Sequence, residues 1–211
     1  THTHTQIQAV QKLNLQSGRD IHIKGGTVSA EQITADIGTQ GQGNLNIESL
    51  QDTSTYDSQQ HNIGVAVSVP IGPGGTASAS ANLATSKIDH DYLSVTQQSG
   101  LKAGDGGFQI NVQGNTDLKG GLIASTDKAV EDNKNSLTTA TLTTSDIQNK
   151  AEYEATSTSI GIGTNATAGA LNPAGIGWGN DSDSQASATR AGISTAAITL
   201  TDETQQKQLT G

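Results

Sequence analysis

The sequence predicts an all-β protein: a right-handed parallel β-helix, or solenoid, with two projecting β-hairpin excursions. Apolar residues alternate in short runs that are separated by Gly, Asn or Asp, a pattern typical of short strands and turns. Only 32% of the residues are hydrophobic, against roughly 45–50% in an ordinary domain. Coils of short parallel strands stack about 4.8 Å apart and need few inward side chains each, so a β-helix fits this composition.

A repeated phrase supports the solenoid. "HIKGGTVSA" occurs at 22–30 and "DLKGGLIAS" at 117–125, an offset of 95. An offset of 97 places "LNIESLQDTSTY" (45–56) on "LTTSDIQNKAEY", and an offset of 105 places "LSVT" (93–96) on "ITLT" (198–201). We therefore expect one β-helical segment over 1–211 that is built from two tandem units, at about 13–98 and about 99–201. Roughly eight coils would fill this length.

Two stretches depart from the coil rhythm, at about 62–88 and about 159–193. The first alternates branched apolar with small residues on both sides of a "GPGG" turn (72–75), which predicts a hairpin. The second is its longer, Gly-rich equivalent, with "GIGWGNDS" near its tip or return. Helical signals occur only within "STDKAVEDNKN" (125–135), enough for one or two turns capped by Ser125 or Thr126, and we interpret this stretch as a polar excursion between coils.

Composition excludes several classes of function. A net charge of −9 disfavours nucleic acid, which requires clustered Lys and Arg. Cys is absent, no apolar stretch approaches the roughly 18–20 residues of a membrane helix, and no signal pattern opens the chain. We expect a segment of a longer protein.

Polar clusters that could bind a metal or catalyse a reaction are weak. His2 and His4 share a strand face but lack a third metal ligand, and Asp89, His90 and Asp91 have no acidic counterpart in the second unit. Asp181 and Asp183 fit an exposed loop, and the sequon at 165–167 matters only in a eukaryotic secretory route. Because carboxylates are dispersed and Arg occurs only at Arg19 and Arg190, we expect no catalytic, cofactor or metal site.

The apolar row of the first excursion is the candidate membrane contact. No Lys, Arg, Asp or Glu occurs between His61 and Lys87, and 63–71 supplies nine alternating residues, near the roughly 9–11 of a transmembrane strand. The alternative is that this face packs on the flank of the β-helix. The candidate contact residues are Ile63, Val65, Val67, Val69, Ile71 and Trp178.

Four longer phrases resemble a known family: 35–60, 99–129, 142–155 and 198–211. They are similar to the haemagglutinin-repeat region of filamentous-haemagglutinin-like two-partner-secretion exoproteins, nearest to the second repeat region of contact-dependent growth inhibition proteins. The resemblance covers essentially the whole chain. The excursions and "GTQGQGN" (38–44), which is longer than the expected Gly-Asn turn, are the parts that vary.

The resemblance implies a non-catalytic segment of a secreted protein on the bacterial cell surface. An outer-membrane β-barrel partner would export it, and it would precede a C-terminal toxin. It would associate with the target-cell outer membrane and help deliver that toxin, and before toxin delivery the segment itself would lie in the periplasm. The alternative is the stalk or contact surface of a filamentous adhesin. The chain itself does not separate the two.

Overall fold

The computed structural model describes residues 2–69, 78–164 and 171–210. They form two compact units, one of residues 1–52, 93–149 and 187–211 (unit 1) and one of residues 53–92 and 150–186 (unit 2). The strands and helices are, in chain order, β1 (Thr5–Gln8), β2 (Lys12–Ser17), β3 (Ile21–Lys24), β4 (Gly26–Ile37), β5 (Leu45–Glu48), β6 (Asp52–Ser68), β7 (Ser78–Ser94), β8 (Gly100–Lys119), β9 (Leu122–Ala124), α1 (Asp127–Glu131), β10 (Ser136–Ser145), β11 (Ile147–Thr164), β12 (Leu171–Thr189), β13 (Gly192–Ile193), β14 (Ala197–Leu200) and α2 (Glu203–Thr210).

Unit 1 holds a sheet of parallel strands. Its pairs form three ladders. Ladder 1 runs through β1, the start of β4, the start of β8, β9 and β13. Ladder 2 runs through β2, the end of β4, the middle of β8, the start of β10 and β14, and ladder 3 through β3, β5, the end of β8 and the end of β10. Along the chain, successive strand segments belong to ladder 1, then ladder 2, then ladder 3, and the order then repeats. Residues of similar type therefore pair across successive strands of a ladder, and each such row of paired residues is called a column.

Apolar side chains fill these columns and form the core. In ladder 2, Ile33 pairs with Phe108, and both are fully buried. The column through Ala35 and Ile110 continues to Leu137. A Phe108→Ala cavity would cost about 3–5 kcal/mol. The core is thin because the part of a strand that lies in any one ladder contributes only one to three inward apolar residues, which explains the low apolar fraction.

The repeated phrase marks a tight corner between ladders 3 and 1. Gly25 and Gly120 both take positive φ, +62° and +54°, a conformation that favours Gly. A Cβ at Gly25 would meet Leu50 at 2.6 Å, and one at Gly120 would meet Ile147 at 2.7 Å. Two residues of the phrase that match at offset 95, Ile23 and Leu118, lie in one column, separated by Ile47 of β5. The phrase recurs because the same corner recurs two strands further along.

A second type of corner, between ladders 2 and 3, is fixed by side-chain oxygens. The backbone N–H of Asn44 donates to Oδ1 of Asp20 at 2.7 Å. The backbone N–H of Asn115 donates to Oδ1 of Asn44 at 2.8 Å, and the hydroxyl of Thr141 donates to Oδ1 of Asn115 at 2.8 Å. Each side chain thus binds the next strand along the ladder, and this row (the Asx row: Asp20, Asn44, Asn115) sets the register.

Each segment that leads to unit 2 is clamped where it leaves and re-enters unit 1. The N–H of Ser99 donates to Oγ of Ser49 at 2.9 Å, and the N–H of Ala191 donates to Oδ1 of Asp146 at 2.9 Å. Ser49 and Asp146 are equivalent positions at offset 97. Both clamps lie between ladders 3 and 1, at the places that correspond to Gly25-Gly26 and Gly120-Gly121.

Three expectations about unit 1 have a definite outcome. The helix within 125–135 is confirmed as α1, and Thr126 is its N-cap. The estimate of roughly eight coils is wrong for the described residues, whose longest ladders have five strands, because much of the chain lies in unit 2. The match at offset 105 is also not structural: it pairs the end of β7 with β14, which belong to different sheets.

Unit 2 is a four-stranded sheet in the order β12-β11-β7-β6. The side chains of His61 and Thr85 are hydrogen-bonded, and Gly64 faces Asn82. Residue numbers in β7 therefore decrease as the numbers of their neighbours in β6 increase. Ser159 likewise faces Gly177, and Ser157 faces Gly179. These contacts indicate antiparallel neighbours within each pair of consecutive strands.

Removal of one member of the Asx row tests its importance. Asn44→Ala leaves the N–H of Asn115 without its acceptor and should lower the free energy of unfolding by about 1–3 kcal/mol. Asn46→Ala is the matched control, because the hydrogen bond of the Asn46 side chain among the described residues is to the exposed His22 ring, and it should change stability by less than about 0.5 kcal/mol. Urea denaturation measures both. Equal losses of unfolding free energy in the two variants would contradict the role of the Asx row in setting the register.

The carboxylate of Glu48 makes stability depend on pH. Its oxygens lie 2.9 Å from the ammonium of Lys24 and 3.2 Å from that of Lys119. The hydrogen bond from Lys24 is the largest cause that lowers the pKa of Glu48 below its ordinary 4.5; partial burial opposes it and Lys119 reinforces it. A depressed folded-state pKa adds stability above the unfolded value, and this is lost as pH falls through the folded pKa.

Glu48→Gln should therefore flatten the acid side of the stability profile. Because both lysines are more than half exposed, the effect is small, about 0.2–1 kcal/mol. Between about pH 6 and pH 3, the wild-type protein should lose more unfolding free energy than E48Q, and Lys24→Gln should remove most of the same difference. Parallel stability profiles for wild type and E48Q would show that the ion pairs of Glu48 with the two lysines contribute nothing to stability.

Candidate functional site

An exposed row of branched apolar side chains runs along β6 and one residue past its end. Ile63, Val65, Val67 and Val69 are 77%, 74%, 69% and 71% exposed. Ile71, also expected in this row, lies outside the described residues. Ile and Val are usually buried, so four of them exposed at alternate positions are typical of a contact surface.

The second pair of strands adds apolar side chains that sequence reasoning only partly identified. Trp178 of β12, one of the candidate contact residues, is 89% exposed, and Ile176 is 70% exposed. Ile160 and Ile162 of β11 are 40% and 45% exposed. The three isoleucines were missed. Their signal was the alternation with Gly in "SIGIG" and "GIGWG".

Charge is excluded from both apolar stretches. Residues 62–86 and 155–180 contain no Asp, Glu, Lys or Arg. Charged residues begin immediately beyond them, at Lys87, Glu154 and Asp181. The described strands of unit 2 therefore divide along their length into an uncharged part (the apolar zone: 62–69, 78–86, 155–164 and 171–180) and a charged part.

The charged part surrounds an open concavity of about 760 Å³. Lys87 pairs with Asp89 at 2.5 Å, and this hydrogen bond raises the pKa of Lys87 above its ordinary value. The rings of His90 and Tyr92 stack with centroids 6.4 Å apart. The acidic side chains in the wall are Asp57, Asp89, Asp91, Glu152, Glu154 and Asp183.

The polar clusters suggested by the sequence do not form a metal site in the part of the chain that the structure describes. Asp89, His90 and Asp91 line the concavity, but no group of three potential ligands converges there or elsewhere among those residues. Asp183 lines the same wall and Asp181 a smaller neighbouring recess. The sequon at 165–167 lies outside the described residues.

The two N-terminal histidines lie in different surroundings. The ring and the backbone N–H of His2 contact Asp52, whose pKa is lowered first by the hydroxyl of Thr96 and then by the His2 N–H. Both ring nitrogens of His4 are buried without a partner among the described residues. His2 thus fastens the N-terminus to the start of β6, and the structure gives the pair no shared ligand.

Within residues 2–69, 78–164 and 171–210, neither helix has the length and apolar character needed to span a bilayer. The candidate site is a surface on strands: the apolar zone of unit 2 with the charged concavity beside it.

Comparison with known proteins finds a matching family and several similar proteins. Residues 1–63 match the model of the Hemagglutinin repeat family. The chain is 39% identical over 207 residues to a tRNA nuclease CdiA of Yersinia mollaretii, covering 98% of the chain and 7% of that protein. It is 43% identical over 155 residues to a Toxin CdiA of Escherichia coli, covering 74% of the chain and 5% of that protein.

A Deoxyribonuclease CdiA of Yersinia pseudotuberculosis is 36% identical over 214 residues, covering 98% of the chain and 19% of that protein. The chain thus spans less than a fifth of the length of these relatives. No solved structure matches.

Proposed function

The chain is a haemagglutinin-repeat region of the type found in CdiA proteins, and we propose that it is a non-catalytic segment of a secreted bacterial surface protein that acts in contact-dependent growth inhibition. Its part in that process is to contact the outer membrane of the target cell and help deliver a C-terminal toxin. The observation that carries this proposal is the exposed, uncharged row from Ile63 to Val69.

The non-catalytic role is supported by the names of the relatives. One is a tRNA nuclease and another a deoxyribonuclease, yet the chain is 39% and 36% identical to them over almost its whole length. A segment that two enzymes of different substrate share does not distinguish their activities. The nuclease chemistry therefore belongs to other parts of those proteins.

The three ladders of unit 1 support a right-handed parallel β-helix as the scaffold, since parallel strands in the same sheet are joined almost always by right-handed crossovers. The consecutive strands of unit 2 then form the two hairpin excursions. In this proposal the tandem units at about 13–98 and about 99–201 each contribute a tight Gly-Gly corner and one excursion.

The apolar zone is the membrane contact in this proposal, with Ile71 as a further member of the row. A strand pair placed in lipid must find hydrogen-bond partners for the backbone groups on its outer edges. Insertion would therefore require pairing with several copies or with a barrel partner. The aromatic ring of Trp178 suits the interface between lipid and water. The acidic concavity stays in water, because burial of unpaired carboxylates in lipid is costly.

The same proposal assigns partners and location. An outer-membrane β-barrel would secrete the protein to the cell surface, and the rest of the exoprotein, including the toxin, would lie in the same chain. Nucleic acid is not a partner, because the net charge is −9. Before toxin delivery the segment itself lies in the periplasm.

The alternative is an adhesin stalk, in which the apolar zone contacts a host protein or another copy. The regular ladders of unit 1 suit either role. The membrane-contact function and the adhesin function differ in whether the apolar zone binds lipid when no other protein is present.

Two matched double variants test the membrane contact. Val65→Asp with Val69→Asp places two charges in the exposed row. Ala66→Asp with Ser68→Asp places the same charges on the opposite face of the same strand, where the side chains are also exposed. Because all four sites are exposed, each substitution should change stability by no more than about 0.5 kcal/mol. We expect V65D/V69D to lose association with vesicles of outer-membrane lipids, and the control to retain it.

Flotation of vesicles with the purified chain measures association, and thermal melting checks folding. Unchanged vesicle association and unchanged toxin delivery by folded V65D/V69D would eliminate the membrane contact. Wild-type protein that binds no vesicles but binds whole cells would favour the adhesin.

A further inference from the structure

The sheet of unit 2 joins two strand pairs that are far apart in the sequence. β6 and β7 form the first pair, β11 and β12 form the second, and the order in the sheet is β12-β11-β7-β6. The second strand of the first pair, β7, is therefore hydrogen-bonded to the first strand of the second pair, β11. The strands β8, β9 and β10 lie between them in the chain. The sheet thus grows by joining one strand pair to the next.

Each outer strand of this sheet has an equivalent inner strand. β11 is equivalent to β6, because an offset of 97 places Tyr56 on Tyr153 and Ile63 on Ile160. β12 is equivalent to β7, since each is the second strand of its pair. Among the described residues, β7 and β11 each have two neighbouring strands, whereas β6 and β12 each have one. The edge of β6 that faces away from its own pair corresponds to the edge of β11 that binds β7, and the same holds for β12 and β7.

These outer edges lack the residues that most often prevent an edge from pairing. Lys and Pro on an edge strand oppose the addition of another strand, yet neither occurs at 53–68 or at 174–189. Exposed edges are usually short, but β6 has 17 residues and β12 has 19. The carboxylates of these strands are no obstacle, because β7 and β11 pair although both also carry carboxylates.

We propose that the outer edges of unit 2 bind the strand pairs of neighbouring haemagglutinin repeats, so that the sheet gains one strand pair with each repeat. The edge of β6 accepts a strand of the β7 type, and the edge of β12 accepts a strand of the β6 type, because this combination already joins β7 to β11. The pairing needs no lipid, so it is independent of the membrane contact.

The apolar zone widens with each added strand pair. At an offset of 97, Ile160 and Ile162 of β11 correspond to Ile63 and Val65 of β6, and all four side chains are exposed. The first strand of a further pair therefore brings its own alternating apolar residues next to β12. The partner is recognised by this chemistry: a long strand that is charged at one end and alternates apolar with small residues at the other.

Two peptides with the sequences of the inner strands test the two edges. The peptide of residues 147–164 (the β11 peptide) should bind the edge of β12, and the peptide of residues 78–94 (the β7 peptide) should bind the edge of β6. Alternate residues of a strand bond to opposite neighbours. In the full 211-residue chain, every second amide of 174–189 should therefore exchange about tenfold more slowly with the β11 peptide, and every second amide of 53–68 with the β7 peptide.

Each peptide is the control for the other edge, which it should leave unchanged. A further control is the β11 peptide with Thr156→Pro and Ser157→Pro. Two adjacent prolines remove one ladder hydrogen bond whichever edge of the peptide pairs, so this peptide should give no protection.

Unchanged exchange at both edges would overturn the proposal, and so would equal protection by the proline peptide or protection of the same edge by both peptides. Protection that appears in the chain alone and rises with its concentration would assign the edges to a second copy and would overturn the choice of neighbouring repeats. Because no lipid is present, failure of this experiment is distinct from loss of vesicle association in V65D/V69D.

Discussion

Register in unit 1 depends on side-chain oxygens that bind the backbone of the next strand. Parallel strands of four to six residues, such as β2, β3 and β5, offer few hydrogen bonds each, and a slip by one residue would turn every inward side chain outward. The Asx row prevents this, because Asn44 and Asn115 are each held by the preceding strand and hold the following one. The buried columns, the Gly-Gly corners and the position of Glu48 between two lysines all require that register.

This arrangement explains how a chain with little apolar content folds. Inward positions stack upon one another, so one apolar residue shields two neighbours, and Phe108, Ile33 and Leu118 are completely buried. Polar residues at the corners replace the loops that an ordinary sheet would use. Unit 2 has no comparable core: among its described residues, the large apolar side chains are mostly exposed, so its surface is available for contact in a way that the surface of unit 1 is not.

The sequence was informative where a single local rule decides the structure. The phrase with Lys24-Gly25-Gly26 and its repeat identified a corner because Gly accepts the positive φ without strain, and the alternation at Ile63 to Val69 identified a β-strand with one apolar face. It was uninformative where partners are distant. Nothing local shows that Gln206 contacts Leu142, 64 positions away, and α2 was missed although Asp202 precedes a run of good helix formers.

The match at an offset of 105 failed because "LSVT" and "ITLT" are similar in residue type but belong to different sheets. Ile160, Ile162 and Ile176 were overlooked because Gly-rich alternation resembles a loop.

The clamps at Ser49–Ser99 and Asp146–Ala191 have an evolutionary and practical consequence. Each joins the two ends of a segment that leads to unit 2 by a hydrogen bond within unit 1, so the number of residues beyond the clamp does not alter the register of the ladders. Loop entropy rises only slowly with length, by about 0.6 kcal/mol for each doubling. The segments of unit 2 can therefore lengthen, shorten or be exchanged between lineages while the ladders are inherited unchanged, and the same two corners are suitable sites for grafting a foreign peptide or epitope onto unit 1.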